Sequence, residues 1–229
     1  MQRIVLRYRQ ESLSHVWNHN DLRALFLQAA ETAGLPVADG QRVIRLGPPL
    51  PAEATSEAEY AALELAQPLD PSEVCRSLNL HLPDGVKIVR AWIAPAGSAE
   101  ENPATLDEAI YEVRWMHAEP NTDAVEEAMQ KFLAATVIYF TRAREKKTQE
   151  LDARVLVRNM TLLADHDGQP CLRMTVSVGP LGTLRPSEVL QVLGFSPAPG
   201  DIKIRRVALQ RTIWRHPSPA RRAHCWRRA

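Results

Sequence analysis

Four charged residues in the second half of the sequence are the first candidates for a shared polar site: Lys147, Asp152, Arg154 and Arg185. Asp152 and Arg154 are two residues apart in a strand-like run, so their side chains are expected on one face. The Asp152 carboxylate is expected to pair with Lys147 or Arg185. A structural salt bridge is the favoured explanation of such a pair, and a functional site is the alternative. One site requires that the four residues lie near one another.

A second set of polar residues is predicted at the rim of a sheet in the first half: His19, Asp21, Glu57 and Glu59. Glu57 and Glu59 are two residues apart on a predicted strand, which places both on the same face. Such carboxylates are far more often solvated than catalytic, so they predict no acid–base pair. His15 and His19 have the spacing of metal ligands on a helix, but no third ligand follows. The sequence predicts no metal site, and catalytic residues stay unknown.

A glycine-containing turn, GPLGTLRP at residues 179–186, precedes a predicted helix. The N–H groups at such a helix start can hold an anion. The turn lacks the lysine of a Walker motif and the order of a GxGxxG motif. A tight turn with Pro186 at the first helical position is the favoured interpretation.

Basic and aromatic residues are interleaved on several predicted strands. They are Arg3, Arg7, Tyr8 and Arg9 in the first strand, Arg114 and Trp115 in the fifth, and Lys203, Arg205, Arg206, Arg211 and Trp214 in the last. A sheet with such residues can bind single-stranded RNA through phosphates and stacked bases. The paired aromatic residues of an RRM signature are absent. Strand faces with solvated cations explain the pattern equally well, so both interpretations stay open.

The charge balance predicts no general attraction to nucleic acid or membranes, since 28 basic and 27 acidic residues give a net charge of +1. Residues 215–229 are an exception, with five arginines and no acidic residue. They predict a disordered basic tail. Contact with RNA phosphates, with Trp226 stacking on a base, is the alternative.

The three cysteines, Cys75, Cys171 and Cys225, are far apart and form no CxxC motif. They predict neither a disulfide framework nor a zinc ribbon, and Cys75 and Cys171 are expected to be buried. This usage is typical of the reducing cytoplasm. The sequence shows no signal peptide and no apolar run that would span a membrane, and it predicts no bound cofactor.

The order of predicted elements indicates an α+β fold with two tandem ferredoxin-like domains. Residues 1–95 read strand, helix, strand, strand, helix, strand, which is the split βαβ pattern of an antiparallel sheet covered by two helices. A small, polar segment at 96–105 predicts a linker. Residues 106–214 repeat the order, with a continuous strand predicted at 150–165 and a hairpin turn at 165–168.

Several segments together resemble one bacterial family of unknown function, the radical-SAM-linked proteins. They are RYRQ, HNDLRALFLQAAETAGLP, GPPLP, TSEAEYAALEL, PLDPSEVCRSLNLHLPDGVKI, KKTQELDARVLV and GTLRPSEVLQVLG. The resemblance implies a radical SAM protein encoded nearby as the partner. Matching positions are His19, Asp21, Pro51, Ser56, Glu57 or Glu59, Lys147, Asp152, Arg154, Arg185 and Pro186.

One segment departs from the family pattern. Members carry a sequence like SxGFNPHPRI before the PLP strand, whereas this chain has DGQRVIRLGPPLP. The missing aromatic, Asn and His side chains imply that a function of that segment is weakened or lost. The chain also lacks the CxxxCxxC motif that ligates a [4Fe–4S] cluster.

The sequence favours a non-catalytic accessory protein of a radical SAM enzyme that binds or presents RNA. An RNA-modifying enzyme that resembles tRNA pseudouridine synthases by fold alone is an alternative, with Asp21 or Asp152 as its reactive residue. A protein-interaction scaffold is a third possibility.

Overall fold

The computed structural model describes residues 1–11, 17–40, 43–95, 97, 101–117, 120–144, 147–164, 169–198 and 200–212. The contacts divide the chain into two compact units. The first comprises Met1–Leu106 and Arg205–Arg211, and the second comprises Asp107–Ile204 and Thr212–Ala229. Within the last of these ranges, the structure describes Thr212 alone. His15, the predicted turn at 165–168, Trp214 and the predicted tail at 215–229 lie outside the described residues.

The first unit is a mixed α+β structure with an antiparallel sheet. Its elements are β1 (Gln2–Gln10), α1 (His19–Thr32), β2 (Ile44–Leu46), β3 (Ala54–Leu65), α2 (Pro71–Asn79) and β4 (Val86–Trp92). The strand order is β4-β1-β3, and β2 also pairs with β3. The first unit therefore has the α+β elements and the antiparallel pairing that the sequence predicts.

Side chains cap the starts of both helices of the first unit. Asp70 accepts two backbone N–H bonds at the start of α2, where Pro71 takes the first helical position. At α1 the cap is Asn18, whose Oδ1 accepts the N–H groups of Asn20 and Asp21 at 2.9 and 3.0 Å. Each cap satisfies N–H groups that a helix start leaves without a partner.

The core of the first unit lies between the helices and one face of the sheet. Ile4, Leu6 and Tyr8 alternate along β1 and pack into this core. The rings of Tyr8 and Phe26 meet edge to face, with centroids 5.0 Å apart. We call the sheet face turned away from α1 and α2 the outer face. On β1 it carries Arg3, Val5, Arg7 and Arg9.

A β-bulge in β3 changes which side chains reach the core. Tyr8 lies opposite Glu59, but Gln10 lies opposite Ser56. An advance of two residues along β1 therefore matches three residues along β3. The extra residue in β3 reverses which of its side chains face the core. Glu59 points into the core and Glu57 to the outer face, with side chains 4% and 41% exposed. The prediction that the two carboxylates share a face was wrong.

A second bulge lies in the edge strand β4. Arg7 is opposite Arg90, and Tyr8 is opposite Ile88, so the extra residue is Val89. Ile88 remains in the core. The shift brings Arg90 to the outer face, where strict alternation from Ile88 would have turned it inward.

The second unit is also mixed α+β. Its elements are β5 (Glu108–Trp115), α3 (Thr122–Ala134), β6 (Tyr139–Arg144), β7 (Lys147–Asp152), α4 (Ala153–Leu156), β8 (Val157–Ala164), β9 (Pro170–Ser177) and α5 (Pro186–Val192). Antiparallel strands follow the order β5-β9-β8, and β6 pairs with β7 in a separate two-stranded sheet.

The continuous strand predicted at 150–165 is divided by the short helix α4. Asp152 caps this helix, because its Oδ1 accepts the N–H of Arg154 at 3.0 Å and that of Ile138 at 3.1 Å. A short carboxylate side chain competes well with strand pairing by binding nearby backbone groups. The prediction of a single strand was therefore wrong, and α4 separates the β6–β7 hairpin from β8.

Two segments group differently from the domain limits expected from sequence. In the segment 96–105, Pro103–Thr105 forms a 3-10 turn in the first unit, and Glu101 pairs with Arg3 at 2.8 Å. The last strand, β10 (Ile202–Gln210), begins in the second unit, but residues 205–210 lie in the first, next to β3. Carboxylates on β3 that pair with arginines on β10 account for this placement.

Candidate nucleic-acid interface

A buried ion pair connects β10 to the bulged part of β3. Arg206 is fully buried, and its Nη1 lies 2.9 and 3.0 Å from the two carboxylate oxygens of Glu59. The guanidinium also donates to the carbonyls of Pro48 and Pro49 at 3.1 and 2.8 Å. A buried guanidinium needs this many acceptors to offset its lost hydration.

Further polar groups surround this pair on the core side. The Ser56 hydroxyl donates to the carbonyl of Arg206 at 3.4 Å and accepts the N–H of Ala58 at 3.1 Å. Burial, together with the negative charge of Glu59, raises the pKa of Tyr8 well above its ordinary value of 10.0, and Arg206 opposes part of this shift. The cluster has a structural role, because it fixes the bulge and with it the faces of Glu57 and Glu59.

Four cations lie side by side on the outer face of the first unit, where β1 meets β4. Arg7 is directly opposite Arg90, and Arg9 is directly opposite Lys87. Like charges in opposed positions of an antiparallel pair are destabilising. Arg9 has an exposed partner in Glu11 at 3.7 Å, which offsets little of this repulsion.

Two aromatic rings lie beside these cations. The rings of Tyr60 and Trp92 meet edge to face at 6.2 Å, and the Arg90 guanidinium lies 5.1 Å from the centre of the Trp92 ring. Rings and guanidinium planes are the surfaces on which unpaired bases stack. We call this set the outer patch. It comprises Arg7, Arg9, Tyr60, Lys87, Arg90 and Trp92.

In the described part of the first unit, three further arginines, Arg3, Arg45 and Arg205, have acidic partners. Glu64 accepts from Arg3 at 2.7 Å and from Arg45 at 2.8 Å. Arg205 lies 2.6 Å from Glu57 at the border of the outer patch. Excess positive charge is therefore concentrated at the junction of β1 and β4, which suits a polyanion.

Two strand cations of the second unit, Arg173 and Arg158, are also matched by carboxylates. Glu112 lies opposite Arg173 and accepts from it at 2.6 Å. Glu108 pairs with Arg158. Paired charges of this kind provide little excess field for binding phosphate.

The predicted polar cluster of the second unit is brought together only in part. Asp152 and Arg154 meet through the cap of α4, and the Arg154 guanidinium donates to the carbonyls of Leu133 and Val157 at 3.3 and 3.0 Å. Lys147 begins β7 and Asp152 ends it, so their backbones are about 17 Å apart at 3.4 Å per residue. The partners that Asp152 has are backbone N–H groups, which favours a structural role over a functional site.

Arg185, the fourth member, lies at the start of α5 with an exposed side chain. Its backbone N–H donates to Glu188 at 2.8 Å, and Glu188 also holds Arg142 through contacts of 2.6 and 2.5 Å. A carboxylate therefore occupies the helix start that could have held an anion. The turn before it is tight, because a Cβ at Gly179 would approach the Cβ of Asp107 to 2.7 Å.

The two rim residues near α1 are exposed at its first turn. His19 is the first residue of the helix, and the Asp21 carboxylate accepts the N–H of Asn18 at 3.4 Å. Within the described ranges, no three His, Cys, Asp or Glu side chains are grouped as a metal would require. Burial raises the pKa of the Cys75 and Cys171 thiols, which lowers their reactivity.

The residues of the outer patch were only partly identifiable from the sequence. Arg7 and Arg9 follow from the alternation of β1, but Tyr8, grouped with them in the predicted platform, is in the core. Tyr60 and Trp92 were missed, because they belong to strands whose pairing partners are distant in sequence. Arg206, another member of the predicted platform, is buried with Glu59.

Comparison with known proteins identifies the family. The family model for an uncharacterized protein conserved in bacteria, DUF2344, matches residues 3–186. The chain therefore belongs to this bacterial family of unknown function. No curated protein matches the sequence.

Two solved structures are similar to parts of the architecture. One is a chain of a Cbf5-Nop10-Gar1 complex, with 11% identity and a TM-score of 0.46, matched over 90% of this chain and 48% of that one. The other comprises the first two RRM domains of the yeast poly(U) binding protein Pub1, with 13% identity and a TM-score of 0.23, matched over 88% and 98%. This chain spans about half of the first structure, and TM-scores below 0.5 establish no shared fold. Separately, none of the helices in the described ranges has the length and apolarity of a membrane span.

Proposed function

We propose that this protein is a non-catalytic accessory protein of a radical SAM enzyme and that it binds single-stranded RNA on the outer patch. The opposed cation pairs Arg7–Arg90 and Arg9–Lys87, beside the ring of Trp92, carry the RNA part of this proposal. A run of phosphates would relieve the repulsion between these cations. The guanidinium of Arg90 and the rings offer stacking surfaces to bases.

Single-stranded RNA fits the patch better than a duplex. Bases are available for stacking only when they are unpaired, whereas a duplex presents mainly phosphates and sugar hydroxyls. Tyr60 and Trp92 are nearly perpendicular, with an interplanar angle of 86°, so a continuous base stack cannot lie flat on both rings. The patch therefore suits one or two splayed bases.

The radical SAM part of the proposal depends on the resemblance of the sequence to radical-SAM-linked proteins. The order of strands and helices motivates the proposal that both units are ferredoxin-like, the second carrying the β6–β7 hairpin and α4 as an insertion. An independent RNA-modifying activity is less well supported, because the carboxylates of Asp21 and Asp152 both accept backbone N–H groups at helix starts.

Fluorescence anisotropy with a labelled 12-nucleotide RNA tests the RNA proposal. Trp92→Ala is expected to weaken binding by about 1–3 kcal/mol, the effect of losing one stacked base. Tyr139→Ala is the matched control, because Tyr139 is an exposed aromatic residue of β6, outside the patch. Equal affinities of the two variants, or stronger binding of a duplex of the same length, would contradict the assignment.

Affinity purification of the tagged full chain from its bacterial host tests the partner proposal. The chain is expected to recover a radical SAM protein after nuclease treatment, since a protein contact survives loss of RNA. Recovery that disappears with nuclease would indicate an RNA bridge, and no recovery in either condition would contradict the accessory role.

A further inference from the structure

A pocket lies in the first unit beyond the end of the outer patch. It encloses about 420 Å³, and its walls include Met1, Arg3, Glu64, Ile93, Ala94 and Glu101. We call it the Glu64 pocket. Its volume falls within the range of about 300–1,000 Å³ for pockets that hold a small ligand, so it has room for one planar base.

The register of the sheet places the Glu64 pocket next to the ring of Trp92. Trp92 lies opposite Val5 of β1, and Glu64 lies opposite Arg3, two residues further along the same strand. Two residues of a strand span about 7 Å. A strand of RNA with one base stacked on Trp92 can therefore place an adjacent base in the pocket.

The walls of the Glu64 pocket suit a base better than a phosphate. Met1 and Ile93 are 86% and 56% exposed, which leaves apolar surface for the face of a ring. The charged side chains of the lining are one arginine and two glutamates, Arg3, Glu64 and Glu101. They offer no excess positive charge to a phosphate group.

Two arginines hold one oxygen of the Glu64 carboxylate and leave the other available. Oε1 accepts from Nη2 of Arg3 at 2.7 Å and from Nη2 of Arg45 at 2.8 Å. In the described part of the chain, none of the hydrogen bonds of this carboxylate uses Oε2. The Glu64 side chain is 20% exposed, so Oε2 is an acceptor for a ligand in the pocket.

Arg3 supplies donors beside this acceptor. Its Nε and Nη2 donate to Glu64 Oε1 at 3.2 and 2.7 Å, and its Nη1 donates to Glu101 Oε1 at 2.8 Å. A guanidinium has five N–H groups, so these described contacts leave two for a ligand. The same ion pairs fix the side chain, and the pocket therefore presents a positioned acceptor next to positioned donors.

An exocyclic amino group is the base donor that fits the available oxygen of Glu64. Cytosine carries one at N4, a group that acidic side chains accept from in nucleic-acid recognition, and its neighbouring N3 is an acceptor for Arg3. Uracil has a carbonyl oxygen in place of this amino group. Its N3–H lies between two carbonyl oxygens, which a carboxylate repels.

We propose that the Glu64 pocket binds one base of a single-stranded RNA and selects a base with an exocyclic amino group, such as cytosine, over uracil. This inference rests on the proposed binding of RNA to the outer patch. Phosphate contacts and stacking hold the strand there without regard to sequence, whereas contacts to a base edge add a sequence preference.

Fluorescence anisotropy of the unmodified full chain with labelled 12-nucleotide oligocytidine and oligouridine tests this preference. Oligocytidine is expected to bind at least about fivefold more tightly, the lower end of what a good pair of base contacts provides. Equal Kd values, or tighter binding of oligouridine, would overturn the inference. If both RNAs were then weakened by Arg7→Gln with Arg90→Gln, the outer patch would stand without the pocket. Absence of binding to either RNA would contradict the outer patch itself, and this inference with it.

Glu64→Gln tests whether the preference belongs to the pocket. The amide oxygen keeps an acceptor for Arg3 and Arg45, which turns the amide nitrogen, a donor, toward the ligand. The preference for oligocytidine is therefore expected to disappear. Glu57→Gln is the matched control, because Glu57 is also an ion-paired carboxylate of β3 but lies outside the pocket lining. A preference that survives Glu64→Gln, or that Glu57→Gln abolishes equally, would overturn the assignment.

Discussion

Arg206 and Glu59 form an ion pair in the interior of the first unit, with Nη1 2.9 Å from Oε1 and side chains that are 0% and 4% exposed. Their chain positions are 147 residues apart. The pair fixes a segment of β10 beside the bulge of β3. It thereby links the end of the described chain to the sheet that carries the outer patch.

Removing one partner of this pair is expected to be severe. Glu59→Ala leaves a buried guanidinium without its counter-charge, and we expect a loss of about 3–5 kcal/mol in the free energy of unfolding. Urea unfolding followed by circular dichroism measures the change. Glu57→Ala is the control, because Glu57 is 41% exposed and pairs with the adjacent Arg205.

The control is expected to lose no more than about 1 kcal/mol, as exposed ion pairs do. If Glu59→Ala and Glu57→Ala lowered the free energy of unfolding equally, this would contradict the placement of the two carboxylates on opposite faces of β3.

Tyr8 makes stability sensitive to alkaline pH. Burial, reinforced by the charge of Glu59, raises the pKa of Tyr8 above 10.0 in the folded chain. Below that pH the phenol is protonated in both states and has no linked effect. Above it the unfolded chain releases the proton first, so the free energy of unfolding falls as pH rises toward the folded pKa.

The Tyr8→Phe variant isolates this effect. Its stability should fall less steeply above pH 10, by at most about 1.36 kcal/mol per pH unit relative to the unmodified chain. Urea unfolding at intervals between pH 9 and pH 11.5 provides the comparison. Parallel curves for the two proteins would show that Tyr8 is not the responsible group.

Two substitutions of Asp152 distinguish a capping role of this residue from a catalytic one. Asp152→Asn keeps an oxygen acceptor for the N–H groups of Ile138 and Arg154, so stability should change by less than about 1 kcal/mol. Asp152→Ala leaves both donors without this partner and should cost about 1–3 kcal/mol. The free energy of unfolding of each variant gives the answer. A modification of RNA that Asp152→Asn abolishes while the fold remains intact would indicate catalysis instead.

The first unit shows what a sequence pattern can and cannot predict. Pro71 after Asp70 locates a helix start, and the alternation of Ile4, Leu6 and Tyr8 locates a core strand, because both depend on local geometry. The opposite facing of Glu57 and Glu59 was not predictable. It depends on one extra residue opposite β1, and pairing register is a property of two distant segments.

Prediction of the outer patch from the sequence has the same limitation, because it also depends on pairing register. Arg7 and Arg9 are evident on β1, but their opposition to Arg90 and Lys87 requires the register of β1 with β4 and the bulge at Val89. In the second unit, the local preference of Asp152 for capping overrode a strand-like pattern. A helix cap is a local signal, so the break in the strand at Asp152 could have been predicted from the sequence.

The dependence of RNA affinity on salt reports how many phosphates the outer patch binds. Single-stranded nucleic acid gives a slope of about −0.7 in log K against log salt for each phosphate contact. We therefore expect a slope no steeper than about −2.8 if the phosphates bind the four cations of the patch, Arg7, Arg9, Lys87 and Arg90. Anisotropy titrations between 50 and 300 mM salt measure it. A steeper slope would require cations outside the patch, and a slope near zero would exclude phosphate binding.

The chain that carries both Arg7→Gln and Arg90→Gln shows whether the outer patch binds RNA, through its affinity for a 12-nucleotide single-stranded RNA. Each lost charge-assisted contact is worth about 1.5–3 kcal/mol, so losing two is expected to raise Kd by at least about a hundredfold and to make the salt slope shallower by about 1.4. The matched control carries Arg158→Gln and Arg173→Gln, which remove two paired cations of the second unit. For the control, we expect an RNA Kd within about twofold of that of the unmodified chain. Equal losses in the two double variants, or a loss confined to the control, would contradict the assignment of the outer patch as the RNA-binding surface.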